Sequence, residues 1–102
     1  MIYPVIIRPE AEDEIRVMCT FYESISDELG VRARDSLATS IDRIREFPEL
    51  YASVHGKVRA VPIREFPYIL SYVFELNRIV VFGLVHSSVP HESWNRRDKP
   101  SR

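Results

Sequence analysis

The sequence predicts an α+β fold, and three observations along its 102 residues support that prediction. A short β-branched segment opens the chain, two stretches with helical spacing of apolar residues follow, and the second half contains three β-branched and aromatic segments. The resulting order, β-α-α-β-β-β, is typical of an N-terminal strand, a helical hairpin and a three-stranded antiparallel meander. We expect residues 1–102 to form a single domain of common size with a C-terminal tail.

Proline and glycine bound the first strand and the helical hairpin. Ile2 to Arg8 is rich in Ile, Val and Tyr, and it ends at Pro9, which cannot donate to a strand ladder. Acidic residues directly after Pro9 complement the positive end of a helix dipole. Apolar residues then recur at steps of three and four as far as Gly30, which we expect to end the first helix. A second stripe from Ala33 to Ile44 predicts a second helix, ended by Pro48.

Three further strands are predicted after a loop that ends near His55-Gly56. They cover residues 58–63, 68–76 and 79–86. Asn77 tolerates the positive φ that a tight hairpin needs, so the last two strands should pair antiparallel. The final strand is apolar from Ile79 to Val85, which predicts a central strand covered on both faces.

Charge is divided unevenly along the chain. Residues 10–50 carry eleven acids and five arginines, whereas residues 55–102 carry eight Lys or Arg and four acids. A basic half of this kind favours an acidic macromolecular partner.

Several classes of protein are disfavoured by composition. No segment is long and apolar enough to span a membrane, and the single cysteine, Cys19, fits a reducing compartment, so we expect a cytoplasmic protein with no membrane partner. With three glycines, the chain lacks a Gly-rich phosphate loop, and we expect no cofactor.

The candidate contact residues all lie in the basic half. Arg59 and Arg64 flank the second predicted strand, where they could contact phosphates or carboxylates or could simply be solvated. Tyr72 shares a strand face with Tyr68 and Leu70, an arrangement that could stack bases but more often forms the edge of a core.

The end of the last strand and the tail add further candidates. His86 is a potential general base or a hydrogen-bonded strand end, and with His91 it has too few neighbouring ligands for a metal site. Trp94 joins a large aromatic ring to Arg96 and Arg97, a combination common at macromolecular interfaces, although Trp94 could equally anchor the tail.

From Tyr3 to Arg97 the chain resembles the RelE/ParE superfamily of toxins from bacterial toxin–antitoxin modules. The resemblance is strongest to the ParE branch. Members of that branch are often labelled plasmid stabilisation proteins. The resemblance rests on the order and spacing of several short motifs. They are Pro9-Glu10-Ala11, Phe21-Tyr22, Ile44-Arg45-Glu46-Phe47-Pro48, Arg59, Phe66-Pro67-Tyr68-Ile69-Leu70-Ser71-Tyr72, Val85-His86, Pro90 and Trp94.

The resemblance implies a function. ParE-like toxins inhibit DNA gyrase by binding, without catalysis, and a cognate ParD-like antitoxin wraps the toxin with its C-terminal segment and binds operator DNA with its N-terminal part. On this basis the gyrase-binding surface would be drawn from seven residues. They are Arg59, Arg64, Tyr72, His86, Trp94, Arg96 and Arg97.

Two alternatives follow from the same resemblance. RelE-like members cut mRNA on the ribosome, but the arginines that serve them are replaced here by Ile69 and by Ser87-Ser88, which removes donors for the transition-state phosphate. ParE-like relatives often carry basic residues at the serine positions too, so a degenerate, non-toxic homologue is the third reading.

Overall fold

The computed structural model describes residues 1–90, and it confirms the predicted α+β class. These 90 residues run through seven elements in the order β-α-α-β-β-β-β. They are β1 (Val5–Ile7), α1 (Pro9–Ile25), α2 (Asp27–Glu46), β2 (Ser53–His55), β3 (Val58–Pro62), β4 (Tyr68–Glu75) and β5 (Arg78–His86). Neither helix is long and apolar enough to cross a membrane.

The five strands form one sheet in the order β1-β5-β4-β3-β2. β1 pairs with β5 in parallel, and the remaining pairs are antiparallel, which confirms the predicted meander and the central position of β5. Leu76 and Asn77 connect β4 to β5 with φ values of 56° and 57°. Positive φ at both positions is the requirement of a type I′ hairpin, whose twist matches that of the strands.

The second strand, β2, was not predicted. It covers only Ser53–His55 at the edge of the sheet, and its register against β3 shifts between Ser53 and His55. A single apolar residue, Val54, leaves no alternation to recognise, so the sequence resembles a loop at this point.

The boundary between the helices corrects the sequence prediction. α1 ends at Ile25, and the hydroxyl of Ser26 accepts a hydrogen bond from the Leu29 backbone N–H at 3.1 Å, which makes Ser26 the N-cap of α2. Gly30 therefore lies inside α2 and does not end α1. A Cβ at Gly30 would lie 2.9 Å from Cγ of Glu23, so the glycine permits a close approach of the two helices.

The helical hairpin covers one face of the sheet and forms the main core with it. A β-bulge in β5 shapes this face, because the pairing passes from Ser71 with Gly83 to Tyr72 with Val81 and leaves Phe82 as an extra residue. Val81 and Leu84 consequently both face the helices. The opposite face carries a smaller apolar cluster of Val54, Val58, Val73, Val80 and Phe82.

Candidate protein-interaction surface

Arg59 and Tyr72, two of the predicted contact residues, anchor a loop. Nη1 of Arg59 donates to the backbone carbonyl of Tyr51 at 2.6 Å, and the hydroxyl of Tyr72 donates to the carbonyl of Pro48 at 2.8 Å. Tyr72 is 0% exposed, so its ring lies in the core and not on a binding surface. Burial raises the pKa of Tyr72 to about 12, although the nearby Arg59 opposes this rise. The expectation that Tyr72 contacts a target is corrected by this burial.

Arg64 is exposed in the turn between β3 and β4, where Glu65 adopts a φ of 73°. It lines a shallow groove against α2, and Nη2 of Arg32 forms an ion pair with Glu65 in the same groove at 3.1 Å. Asp35 adds a second carboxylate. The groove therefore has mixed charge, and Arg64 is the predicted basic contact that remains accessible at this end of the sheet.

His86 is exposed at the end of β5, and Ser88 holds its ring. The Ser88 backbone N–H donates to Nδ1 of His86 at 3.2 Å, and the Ser88 Oγ lies 2.9 Å from the same nitrogen. Because Nδ1 accepts, the neutral ring carries its proton on Nε2. The Tyr68 ring packs edge-on against the imidazole at a centroid distance of 5.5 Å. Ser88 orients this histidine, a role that the sequence analysis missed.

Trp94, Arg96 and Arg97, the remaining predicted contact residues, lie outside the described residues 1–90. Within that range, no group of three or more His, Cys, Asp or Glu side chains is arranged to hold a metal ion.

An apolar stripe runs along the outer surface of α1. Val17, Phe21 and Ile25 are 67%, 54% and 57% exposed. Their spacing of four residues places them on one side of the helix. Ile25 is the last residue of α1. On α2, Val31 is also exposed.

Aromatic rings extend the surface from the α1 stripe to the end of β5. The rings of Phe21 and Tyr22 lie 5.0 Å apart, and Tyr22 lies 4.7 Å from Phe66 and 6.4 Å from Tyr68. Desolvation raises the pKa of Tyr68, and its hydrogen bond with Tyr22 adds to the rise. With His86 beyond Tyr68, the rings form a continuous row beside the stripe.

An apolar pocket lies between α1 and β5 next to this row. Val17, Met18, Tyr68 and Leu84 line it, and Asp13 and Glu14 contribute carboxylates at one side. Oε1 of Glu14 accepts a hydrogen bond from the Leu84 backbone N–H at 2.9 Å. The stripe and the aromatic row together form one continuous surface, called the α1 surface below.

Comparison with known proteins supports the fold. No family model and no curated protein matches the chain. Among solved structures, a chain described as "Chromosomal ParDE TA system from P. aeruginosa" superposes with a TM-score of 0.71 over 83% of this chain and 96% of that one. The protein shares the fold of that toxin–antitoxin chain. The sequence identity is 11%, so the likeness concerns the fold alone.

Proposed function

We propose that the protein is the toxin of a type II toxin–antitoxin module, that it inhibits DNA gyrase by binding, and that a ParD-like antitoxin neutralises it in the cytoplasm. The α1 surface is the observation that carries this proposal. Exposed large apolar side chains at helical spacing favour a protein partner, because contiguous apolar patches on a monomer mark sites of association. The fold of a ParDE toxin–antitoxin chain supports an antitoxin as that partner.

The surroundings of His86 support binding over catalysis. Cleavage of RNA through its 2′-hydroxyl needs a proton-transfer group and donors for the developing charge on phosphate. Among the described residues, the imidazole contacts Ser88 and Tyr68, neither of which is a cation. Ile69 and Ser87 stand where the resemblance to RelE-like nucleases would place guanidiniums.

The gyrase contact would use the accessible basic positions. Arg64 and His86 are exposed in the structure, and Arg96 and Arg97, which lie outside residues 1–90, are the further basic candidates. Arg59 would act indirectly, because its guanidinium holds the loop that precedes β2. Operator DNA would be bound only through the antitoxin.

The deciding experiment combines induction in cells with an assay on purified gyrase. Induction alone should arrest growth, and co-expression of the neighbouring open reading frame should restore it. Purified protein should inhibit supercoiling and accumulate cleaved DNA, with Arg64→Glu weakened and Lys57→Glu, a substitution at an exposed surface lysine, unchanged. Absence of any effect on gyrase at micromolar protein would remove the gyrase proposal.

Ribosome-dependent mRNA cleavage is the second candidate, and one observation favours it. His86 is exposed, and its Nε2 makes no hydrogen bond with residues 1–90, so it is accessible for proton transfer. Primer extension on cellular mRNA after induction tests this candidate, since codon-positioned cuts that vanish in His86→Ala would support it. Harmless overexpression would instead indicate a degenerate homologue that only binds its antitoxin.

A further inference from the structure

The apolar pocket between α1 and β5 lies beside the end of the described chain. Leu84, on the β5 side, is two residues before the end of that strand, and Val17 and Met18 form the opposite side. Met18 is 1% exposed, whereas Val17 is among the most exposed apolar residues of α1. The pocket thus has a buried floor at Met18 and an open rim at Val17, with carboxylates at one side.

A turn after β5 reverses the chain next to this pocket. The Val89 backbone N–H donates to the His86 carbonyl at 2.9 Å, which closes a four-residue turn. Because β4 already occupies one edge of β5, a returning chain cannot run there. On the other edge, the pairing with β1 stops at Val81, and within residues 1–90 no strand lies beside β5 beyond that point.

The remaining segment has the chemistry that the pocket and its surroundings need. Residues 91–102 contain one large apolar side chain, Trp94, and carry four Lys or Arg residues, all after Trp94, against two acids, Glu92 and Asp98. The first turns of α1 carry the opposite charge. Their carboxylates belong to Glu10, Glu12, Asp13 and Glu14, and Arg16 is the single basic residue of α1.

We propose that residues 91–102 dock across this pocket, with the Trp94 indole between Val17 and Leu84 and with Arg96 and Arg97 facing the acidic first turns of α1. The distance allows it. Trp94 follows Val89 by five residues, a reach of at most about 17 Å, and the return from His86 to Leu84 needs about 7 Å. The proposal holds whether or not the protein acts as a toxin.

Trp94 is the single tryptophan, so its fluorescence reports its environment directly. In the full-length protein we expect emission at a shorter wavelength than in a peptide of residues 91–102, and a several-fold smaller acrylamide quenching constant. Val17→Asp should move both values toward those of the peptide. Ile25→Asp, the same change at a similarly exposed position two turns away on α1, should leave them unchanged.

Charge reversal at Arg96 and Arg97 provides a second, independent test that changes no residue of the folded core. Arg96→Glu combined with Arg97→Glu should also shift the emission toward the peptide value, and added salt should shift that of the unmodified protein in the same direction. Circular dichroism of each variant checks that the helices remain folded.

Three results would overturn the proposal. Emission and quenching equal to those of the peptide would show an undocked tail. If Trp94 is protected but its emission and quenching change neither with Val17→Asp nor with the charge reversal, it lies at another site. Protection that appears only as the concentration rises, together with a dimer in sedimentation, would assign the pocket to a second copy of the chain.

Discussion

Arg59 and Tyr72 are register partners across β3 and β4, and both hold the same loop between α2 and β2. The Arg59 guanidinium lies within hydrogen-bond distance of two carbonyls of this loop, those of Glu49 and Tyr51. The Tyr72 hydroxyl donates a hydrogen bond to the Pro48 carbonyl in the same loop. Two residues that looked like contacts for a target therefore close the end of the core.

Arg59→Ala should lower the free energy of unfolding by about 1–2 kcal/mol, because the charged donor of a part-buried hydrogen bond to the Tyr51 carbonyl is lost and water screens part of the effect. Urea titration measures the change. Lys57→Ala removes an exposed ion pair with Glu75 and should change stability by less than about 0.5 kcal/mol. An Arg59→Ala protein of unchanged stability that no longer inhibits gyrase would instead make Arg59 a target contact.

Tyr72 should make stability fall at alkaline pH. Desolvation raises its pKa from 10 to about 12 in the folded state, so between these values the unfolded chain releases a proton that the folded protein retains. The contribution of Tyr72 to the free energy of unfolding is complete below pH 10 and is lost as the pH rises toward 12. Tyr72→Phe should cost about 1 kcal/mol at pH 7, since the Pro48 carbonyl loses its donor, and should lose less stability than the unmodified protein across this window.

Denaturant titrations at pH 7 and at intervals up to pH 12 test the Tyr72 prediction. Tyr3→Phe serves as the control, because the Tyr3 hydroxyl makes no side-chain hydrogen bond within residues 1–90. An alkaline loss of the same size in Tyr72→Phe and in the unmodified protein would contradict the role assigned to this hydroxyl.

Gly30→Ala should destabilise the hairpin although alanine favours helices. The added Cβ would lie 3.1 Å from Cα of Glu23, and a backbone atom cannot yield without moving α1. Overpacking costs about 1–3 kcal/mol and the gain in helix propensity is about 1 kcal/mol, so a net loss of up to about 2 kcal/mol is expected.

Thermal unfolding checks the Gly30 prediction. Ala38, an exposed residue of α2, gives the matched control, since Ala38→Gly should cost about 1 kcal/mol through propensity alone. A stabilised Gly30→Ala protein would mean that the helices separate at little cost.

Phe21→Asp should weaken binding of the antitoxin at least about tenfold, because exposed aromatic side chains are frequent anchors of interfaces and the change places a charge in an apolar stripe. Calorimetric titration with the product of the neighbouring open reading frame measures the affinity. Ala38→Asp, on the exposed side of α2, is the control and should bind normally. Equal affinity of both variants would place the antitoxin elsewhere.

Much of the fold was predictable because its signals are local. The β-branched runs of β3, β4 and β5, the apolar spacing of the helices and Asn77 in the hairpin each specify a conformation within a few residues. The helix boundary was mistaken because Gly30 resembles a C-terminal stop, whereas its role is to let Glu23 approach from the other helix. That contact depends on tertiary packing and leaves no sequence pattern.

The candidate site was less predictable because its contacts also depend on tertiary packing. A guanidinium on a strand has the same sequence signature whether it faces solvent or, like Arg59, closes on a loop eight residues away. Tyr72 alternates with Tyr68 in the sequence, yet 0% of it is exposed, because the loop at Pro48 covers it. The stripe at Val17 and Phe21 has helical spacing, but spacing alone does not tell which of two apolar sides of α1 meets the sheet.

The Glu14 carboxylate on the Leu84 N–H also affects how the molecule behaves in a concentrated solution. Where β1 ends, β5 would otherwise offer an open ladder to the strand of another molecule, the usual starting point of edge-to-edge polymerisation. The acid occupies the donor at which such a strand would begin to pair, and it brings a negative charge to that position. A single side chain on α1 thus makes this stretch of β5 a poorer template for the strand of another molecule.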